Sequence, residues 1–96
     1  MATIDPTTLE RPRTGYGTGL GGPANIIVLN DDHNTFDGVA AALAGVLPGV
    51  SFEKGMGFAN EIHQRGQARV WSGQREPAEL YWEQLDAAGL TMAPLE

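Results

Sequence analysis

The residues of this chain best suited to chemistry are oxygen and nitrogen acceptors gathered at two points. Asn30-Asp31-Asp32 closes an apolar run, and His63 follows Ile62 well downstream. Amide and carboxylate oxygens accept the hydrogen bonds of an ammonium group, and a neutral imidazole supplies one further acceptor. If the two points meet at one rim, Phe36, Val39, Ala59 and Ile62 could line an apolar recess behind it. A polar mouth on an apolar wall is the usual construction of a binding pocket. An α-amino group carried on a large apolar side chain would satisfy both parts. The same residues have structural uses: Asn-Asp-Asp is also a turn and cap sequence, and a single histidine is often a half-exposed structural residue.

A metal-assisted hydrolase is the enzymatic alternative, with Asp31, Asp32, His33 and His63 as ligands. These are suitable ligand types, but no close His-x-x-x-His spacing fixes a preformed site. Gly17-x-Gly19-x-x-Gly22 matches the dinucleotide-binding fingerprint in form. Pro12 and Arg13 precede it and Pro23 follows, so the strand before and helix after that such a phosphate cradle needs are absent from the pattern.

The elements that would carry these groups follow from periodicity. Residues 1–24 hold many glycines and few apolar side chains, which predicts a flexible extension. Order is expected to begin near Asn25, where Ile26, Ile27, Val28 and Leu29 form a buried strand. Asn34 is the expected N-cap of a helix whose stripe is Phe36, Val39, Ala40, Leu43 and Leu47, ended by Pro48-Gly49. A second helix starts after Ser51 and reaches about Arg65. Phe52, Met56, Ala59 and His63 form one stripe beside Phe58 and Ile62, and Gly66 suits a left-handed stop. Gly55 and Gly57 weaken this helix by about 1 kcal/mol each relative to alanine, so packing must hold it.

Residues 67–71 alternate as a half-exposed strand, with a turn expected at Ser72-Gly73. Pro77 opens a third helix that buries Ala78, Tyr81, Trp82, Leu85 and Ala88, and residues 90–95 form a last strand with Pro94 at an edge. The expected order is β-α-α-β-α-β: an α+β two-layer sandwich, its three-stranded, mainly antiparallel sheet covered by three helices.

The 96 residues fit one core, 25–96, behind the extension 1–24. No cysteine is present, which excludes disulfides and thiolate metal sites and points to a cytoplasmic location. A net charge of -6 argues against nucleic acid and acidic membranes and suits a cationic ligand. No apolar run is long enough to span a bilayer.

Val28-Leu29-Asn30-Asp31-Asp32-His33-Asn34-Thr35-Phe36 resembles the signature of ClpS adaptors, in which a strand ends in Asn-Asp-Asp or Asn-Asp-Asn. Ile62-His63-Gln64-Arg65-Gly66-Gln67-Ala68 is similar to the family's apolar-His-x-x-Gly-x-Ala segment. Ala78-Glu79 and Pro94-Leu95-Glu96 match its third helix and closing residues. Leu47-Pro48-Gly49 and Ala88-Gly89-Leu90 look closest to the cyanobacterial and plastid branch. The resemblance implies a non-enzymatic adaptor, without cofactor or metal, that delivers N-degron proteins to a Clp-family AAA+ unfoldase of the ClpC or ClpA type. N-degron peptides begin with Phe, Leu, Tyr or Trp. It further implies that Asn30, Asp31 and His63 hold the free α-amino group, with Asn34 among the substrate-binding residues. Phe36, Val39, Ala59, Ile62 and Thr91 would line the side-chain pocket. Glu76 and Glu79 would face the unfoldase N-terminal domain, and the extension would engage the unfoldase during delivery. A monomer is expected.

Three positions depart from the family pattern: Phe36 and Ala59 where methionine is common, and Thr91 where leucine is common. A bulkier gate over a smaller wall would alter which first residues are accepted. Two other readings compete with this one. One is a divergent paralogue that binds the unfoldase without recognising N-degrons; the other is a purely structural interaction domain.

Overall fold

A computed structural model describes residues 22–96. The glycine fingerprint, except Gly22, and most of the expected extension therefore lie outside the described residues. The element order is β1 (Pro23–Leu29), α1 (Phe36–Val46), α2 (Phe52–Arg65), β2 (Gln67–Gln74) and α3 (Arg75–Ala87). This is an α+β fold of three helices and an antiparallel sheet.

The sheet has two strands rather than the expected three. β1 and β2 pair antiparallel from Pro23↔Gln74 to Leu29↔Gln67, and Val70 is accommodated as an irregularity where Ile26 faces Trp71 and Ile27 faces Arg69. Residues 91–96 approach β1 but make one bridge only, Val28↔Met92. Their backbone bonds are Leu29 N–H to the Thr91 carbonyl (2.8 Å), Ala93 N–H to Ile27 (3.0 Å) and Glu96 N–H to Asn25 (3.2 Å). The ladder breaks where the Ala93 carbonyl is taken by the Trp82 indole at 2.7 Å.

Other boundaries also differ from the sequence pattern. β1 begins at Pro23, and Ala24 is already buried. Ser72-Gly73 is strand rather than turn: Ser72 lies opposite Asn25 and donates its hydroxyl to the Asn25 side chain at 2.6 Å. The Trp71 ring lies over Gly73, where a Cβ would come within 2.5 Å of it. The first helix is capped by Thr35, not Asn34, through the Gly38 N–H. α2 keeps its expected limits, with Ser51 as N-cap and Gly66 at φ 90° as the left-handed stop.

One core gathers Ala24, Ile26 and Val28 of β1, Ala68 and Val70 of β2, Val39 and Leu43 of α1, Ala59 and Ile62 of α2, and Ala78 and Leu85 of α3. The expected α2 stripe enters this core only at its middle, since Phe52 and His63 are exposed. On α3, Tyr81 and Trp82 are half-buried and Ala88 is exposed. Gly55 is buried because α1 crosses α2 there: a Cβ on Gly55 would lie 2.7 Å from the Ala40 carbonyl oxygen and 2.9 Å from its Cα. The glycine that weakens the helix is what lets the helices meet. Gly55→Ala should therefore cost about 2 kcal/mol by overpacking despite its better helix propensity. Gly57→Ala meets nothing within 4 Å and should stabilise by roughly 0.5–1 kcal/mol. Urea unfolding of both variants checks the pair of opposite signs.

Candidate functional site

The end of β1 is held between two other segments. Asn30 N–H donates to the Gly66 carbonyl at 2.9 Å, and Leu29 N–H donates to Thr91. Gly66 is the C-cap of α2, so this bond brings Asn30 close to the last turn, which carries His63. The turn after β1 is built on Asp31. One carboxylate oxygen, Oδ1, accepts from the backbone N–H groups of His33 (3.0 Å) and Asn34 (2.8 Å). The other, Oδ2, accepts from Asn34 Nδ2 and from the Thr91 hydroxyl, both at 2.7 Å. Asn34 Nδ2 also donates to the Gly89 carbonyl at 3.0 Å. The loop before α1 and the segment after α3 are thereby tied at one carboxylate.

Desolvation alone would push this carboxyl up. The Asn34 side chain, the Asn34 backbone N–H, the Thr91 hydroxyl and the His33 backbone N–H outweigh it and hold Asp31 well below the usual carboxylate range. Asp31 is therefore an anion at neutral pH. His33 Nδ1 stands 3.7 Å from Oδ1 on an exposed side chain.

Beside this knot lies a recess with about 380 Å³ of empty space, counting its open mouth. Asn30, Asp31, Asn34, Phe36, Val39, Ala59, Ile62, His63 and Thr91 all line it. Val39, Ala59 and Ile62 are buried, while Asn30 and His63 are exposed at the rim. Phe36 is 38% exposed and meets the His63 ring edge-on, with centroids 5.3 Å apart. The wall also contains Val28, Leu29, Thr35 and Leu90. Val28 is signalled by the alternation of β1, which sends it to the same face as Ile26. Leu90 carries no such local signal, because its position depends on how the chain returns after α3.

Glu76 and Glu79 lie elsewhere, at the start of α3. Glu76 is exposed, and Glu79 is half-buried with Oε2 3.9 Å from Arg75 Nη1. Among the described residues no three His, Asp or Glu side chains are grouped as metal ligands, and no helix is long and apolar enough to cross a membrane.

The family model of the ATP-dependent Clp protease adaptor protein ClpS matches residues 22–96. The chain belongs to the ClpS family. It is 55% identical over 71 residues to the ATP-dependent Clp protease adapter protein ClpS of Nostoc sp., covering 74% of this chain and 73% of that one. It is equally identical over 71 residues to the ClpS of Thermosynechococcus vestitus, covering 74% and 76%. These relatives place it in the cyanobacterial branch. Among solved structures, ClpS2 of Agrobacterium tumefaciens bound to L-phenylalaninamide superposes with a TM-score of 0.68 at 25% identity, covering 77% of this chain and 94% of that one. The protein is thus a ClpS adaptor of Clp protease.

The Asp31 knot gives the adaptor a pH-dependent contribution to stability. The folded carboxyl titrates below its unfolded value of about 3.9, so the contribution is complete above that pH and fades as pH falls toward the folded value. Asp31→Ala should lower unfolding free energy by about 2–3 kcal/mol at neutral pH. The gap from the parent should narrow in acid. Urea titrations at neutral pH and below about pH 4 check this; an undiminished gap would mean that the charge of Asp31 is not what holds the loop.

Proposed function

We propose that the adaptor binds N-degron proteins by their free α-amino group and large apolar first residue, and delivers them to a Clp-family AAA+ unfoldase. The observation that carries this reading is the joining of an acceptor-rich rim to a buried apolar wall around one small recess. The recess is small and open at its mouth, which suits a single side chain rather than a run of peptide. Asn30 and His63 offer exposed acceptors to an ammonium group, and the Asp31 anion belongs to the same lining. The net charge of -6 favours the same cation. L-Phenylalaninamide, held by the related ClpS2 protein, is a ligand of this chemistry: a free amino group next to a large apolar side chain.

Asp31 contributes through its charge and through the turn it builds, because its acceptor positions are already taken by protein donors. Phe36, partly exposed in the lining and in contact with His63, is proposed to favour first side chains that are not branched at Cβ: Phe, Leu, Tyr and Trp. Val39, Ala59, Ile62 and the Thr91 side chain supply the wall, and Asn34 braces the rim. The mechanism is recognition and hand-over, with no bond made or broken by the adaptor. Glu76 and Glu79, on the exposed start of α3 and away from the recess, are the proposed contacts to a ClpC- or ClpA-type N-terminal domain. Neither lines the recess, so contact through them would leave it open. The segment before β1 is proposed to engage the unfoldase during delivery.

Fluorescence anisotropy with labelled peptides beginning Phe or Leu, each beside its N-acetylated twin, tests the reading. Free peptides should bind and acetylated ones should not. Asn30→Ala and His63→Ala should each weaken binding by about tenfold or more, the scale of a lost charge-assisted hydrogen bond. Equal binding of free and acetylated peptides would exclude recognition of the amino group. Binding of an unfoldase N-terminal domain without any peptide binding would favour the divergent paralogue.

A further inference from the structure

We propose that Thr91 is a positioning residue of the recess: its hydroxyl fills the remaining acceptor position of Asp31 and fixes the rim against which the amino group docks. The inference rests on reading the recess as an amino-group site. A carboxylate offers about four lone-pair positions. In Asp31, three are used by donors within three residues in sequence, the His33 N–H, the Asn34 N–H and Asn34 Nδ2. The fourth is used by Thr91, sixty residues away, at 2.7 Å.

Thr91 is well placed to hold the carboxylate still. Its carbonyl is anchored by Leu29 N–H at 2.8 Å, and two residues later the Ala93 carbonyl is anchored by the Trp82 indole. The residue lies outside any strand, so its hydroxyl bond and these backbone contacts together set where the segment sits. Its side chain also forms part of the recess wall. An aliphatic residue here would keep the wall but leave one position on Oδ2 free to accept from water or ligand. With threonine, that position is closed. Asn30 and His63 then give the direct hydrogen bonds, and Asp31 acts from a fixed place through its charge. His33, with Nδ1 3.7 Å from Oδ1, is the titratable neighbour of the carboxylate on its own loop; Thr91 and Asn34, which face it from the other contacts, carry no charge.

Two variants separate the hydroxyl from the shape of the side chain. Thr91→Val keeps the branched form without the donor, and Thr91→Ser keeps the donor without the methyl. The readouts are the Asp31 carboxyl titration followed by carbon-detected NMR and the affinity for a Phe-initiated peptide. Thr91→Val should move the titration up toward the ordinary aspartate range and weaken the peptide about tenfold, the scale of one hydrogen bond to a charged group. Thr91→Ser should restore both. A titration that Thr91→Val leaves where the parent has it would overturn the proposal, as would a serine variant that behaves like valine. A parent protein that binds no Phe-initiated peptide would overturn the amino-group reading alone, since the titration still decides whether Thr91 clamps Asp31.

Discussion

The structure around the recess depends on one carboxylate. Asp31 is an anion held in place by donors from its own loop and from the far end of the chain. A loop of this composition has many conformations of similar energy, and fixing each residue costs about 1–2 kcal/mol of backbone entropy. Charge-assisted hydrogen bonds are roughly twice as strong as neutral ones, so a single side chain receiving several of them can offset much of that cost locally. The result is a rim whose geometry exists before any ligand arrives. Asn34 extends the knot by bridging from Asp31 to the Gly89 carbonyl, which brings the end of α3 to the entrance of α1.

The depth of the recess has a different origin. Its wall comes from α1 and α2, and their separation is set where Gly55 passes the Ala40 backbone. Close approach at that point lets Val39 and Ala59, each small and buried, face one recess. At its C-terminal end α2 leaves the core, and the same turn that buries Ile62 exposes His63. The apolar wall and the polar rim are thus consecutive residues on one helix, divided by the curvature of its surface. Gly66 then stops the helix and accepts the Asn30 N–H, so the helix end that delivers His63 also locates Asn30.

Local pattern was enough to read α2 and the run of apolar residues in β1, because each is specified by its own periodicity and caps. It also suggested that Asn30, Asp31 and His63 could meet beside Phe36, Val39, Ala59 and Ile62, whereas Thr91 came only with the family resemblance and Leu90 had no local signal. The failures share a cause in specific side-chain contacts. Ser72-Gly73 has the composition of a turn, yet the cross-strand bond to Asn25 and the Trp71 ring over Gly73 keep it extended. Asn34 has the composition of an N-cap, yet Asp31 and Gly89 claim its side chain and Thr35 caps instead. The alternating run at 90–95 resembles a strand, yet the Trp82 indole takes the Ala93 carbonyl that a ladder would have used. In each case the local propensity was real, and a specific side-chain contact outweighed it.

These contacts imply a division of labour within the rim. A side chain that knots a loop must have its acceptors occupied, while a side chain that grips a ligand must have them open. Asp31 cannot do both with the same lone pairs. Its charge, however, is not consumed by hydrogen bonding, because its donors are neutral amides and a hydroxyl. On the proposed reading, the field of the anion would therefore act at the mouth of the recess while directional bonding to an ammonium group would fall to Asn30 and His63. Separating charge from directional bonding would let such a site attract a cation without letting the anion collapse onto it. On the proposed reading, specificity for the first side chain would rest with the apolar wall and with Phe36, which contacts His63 and shares the lining.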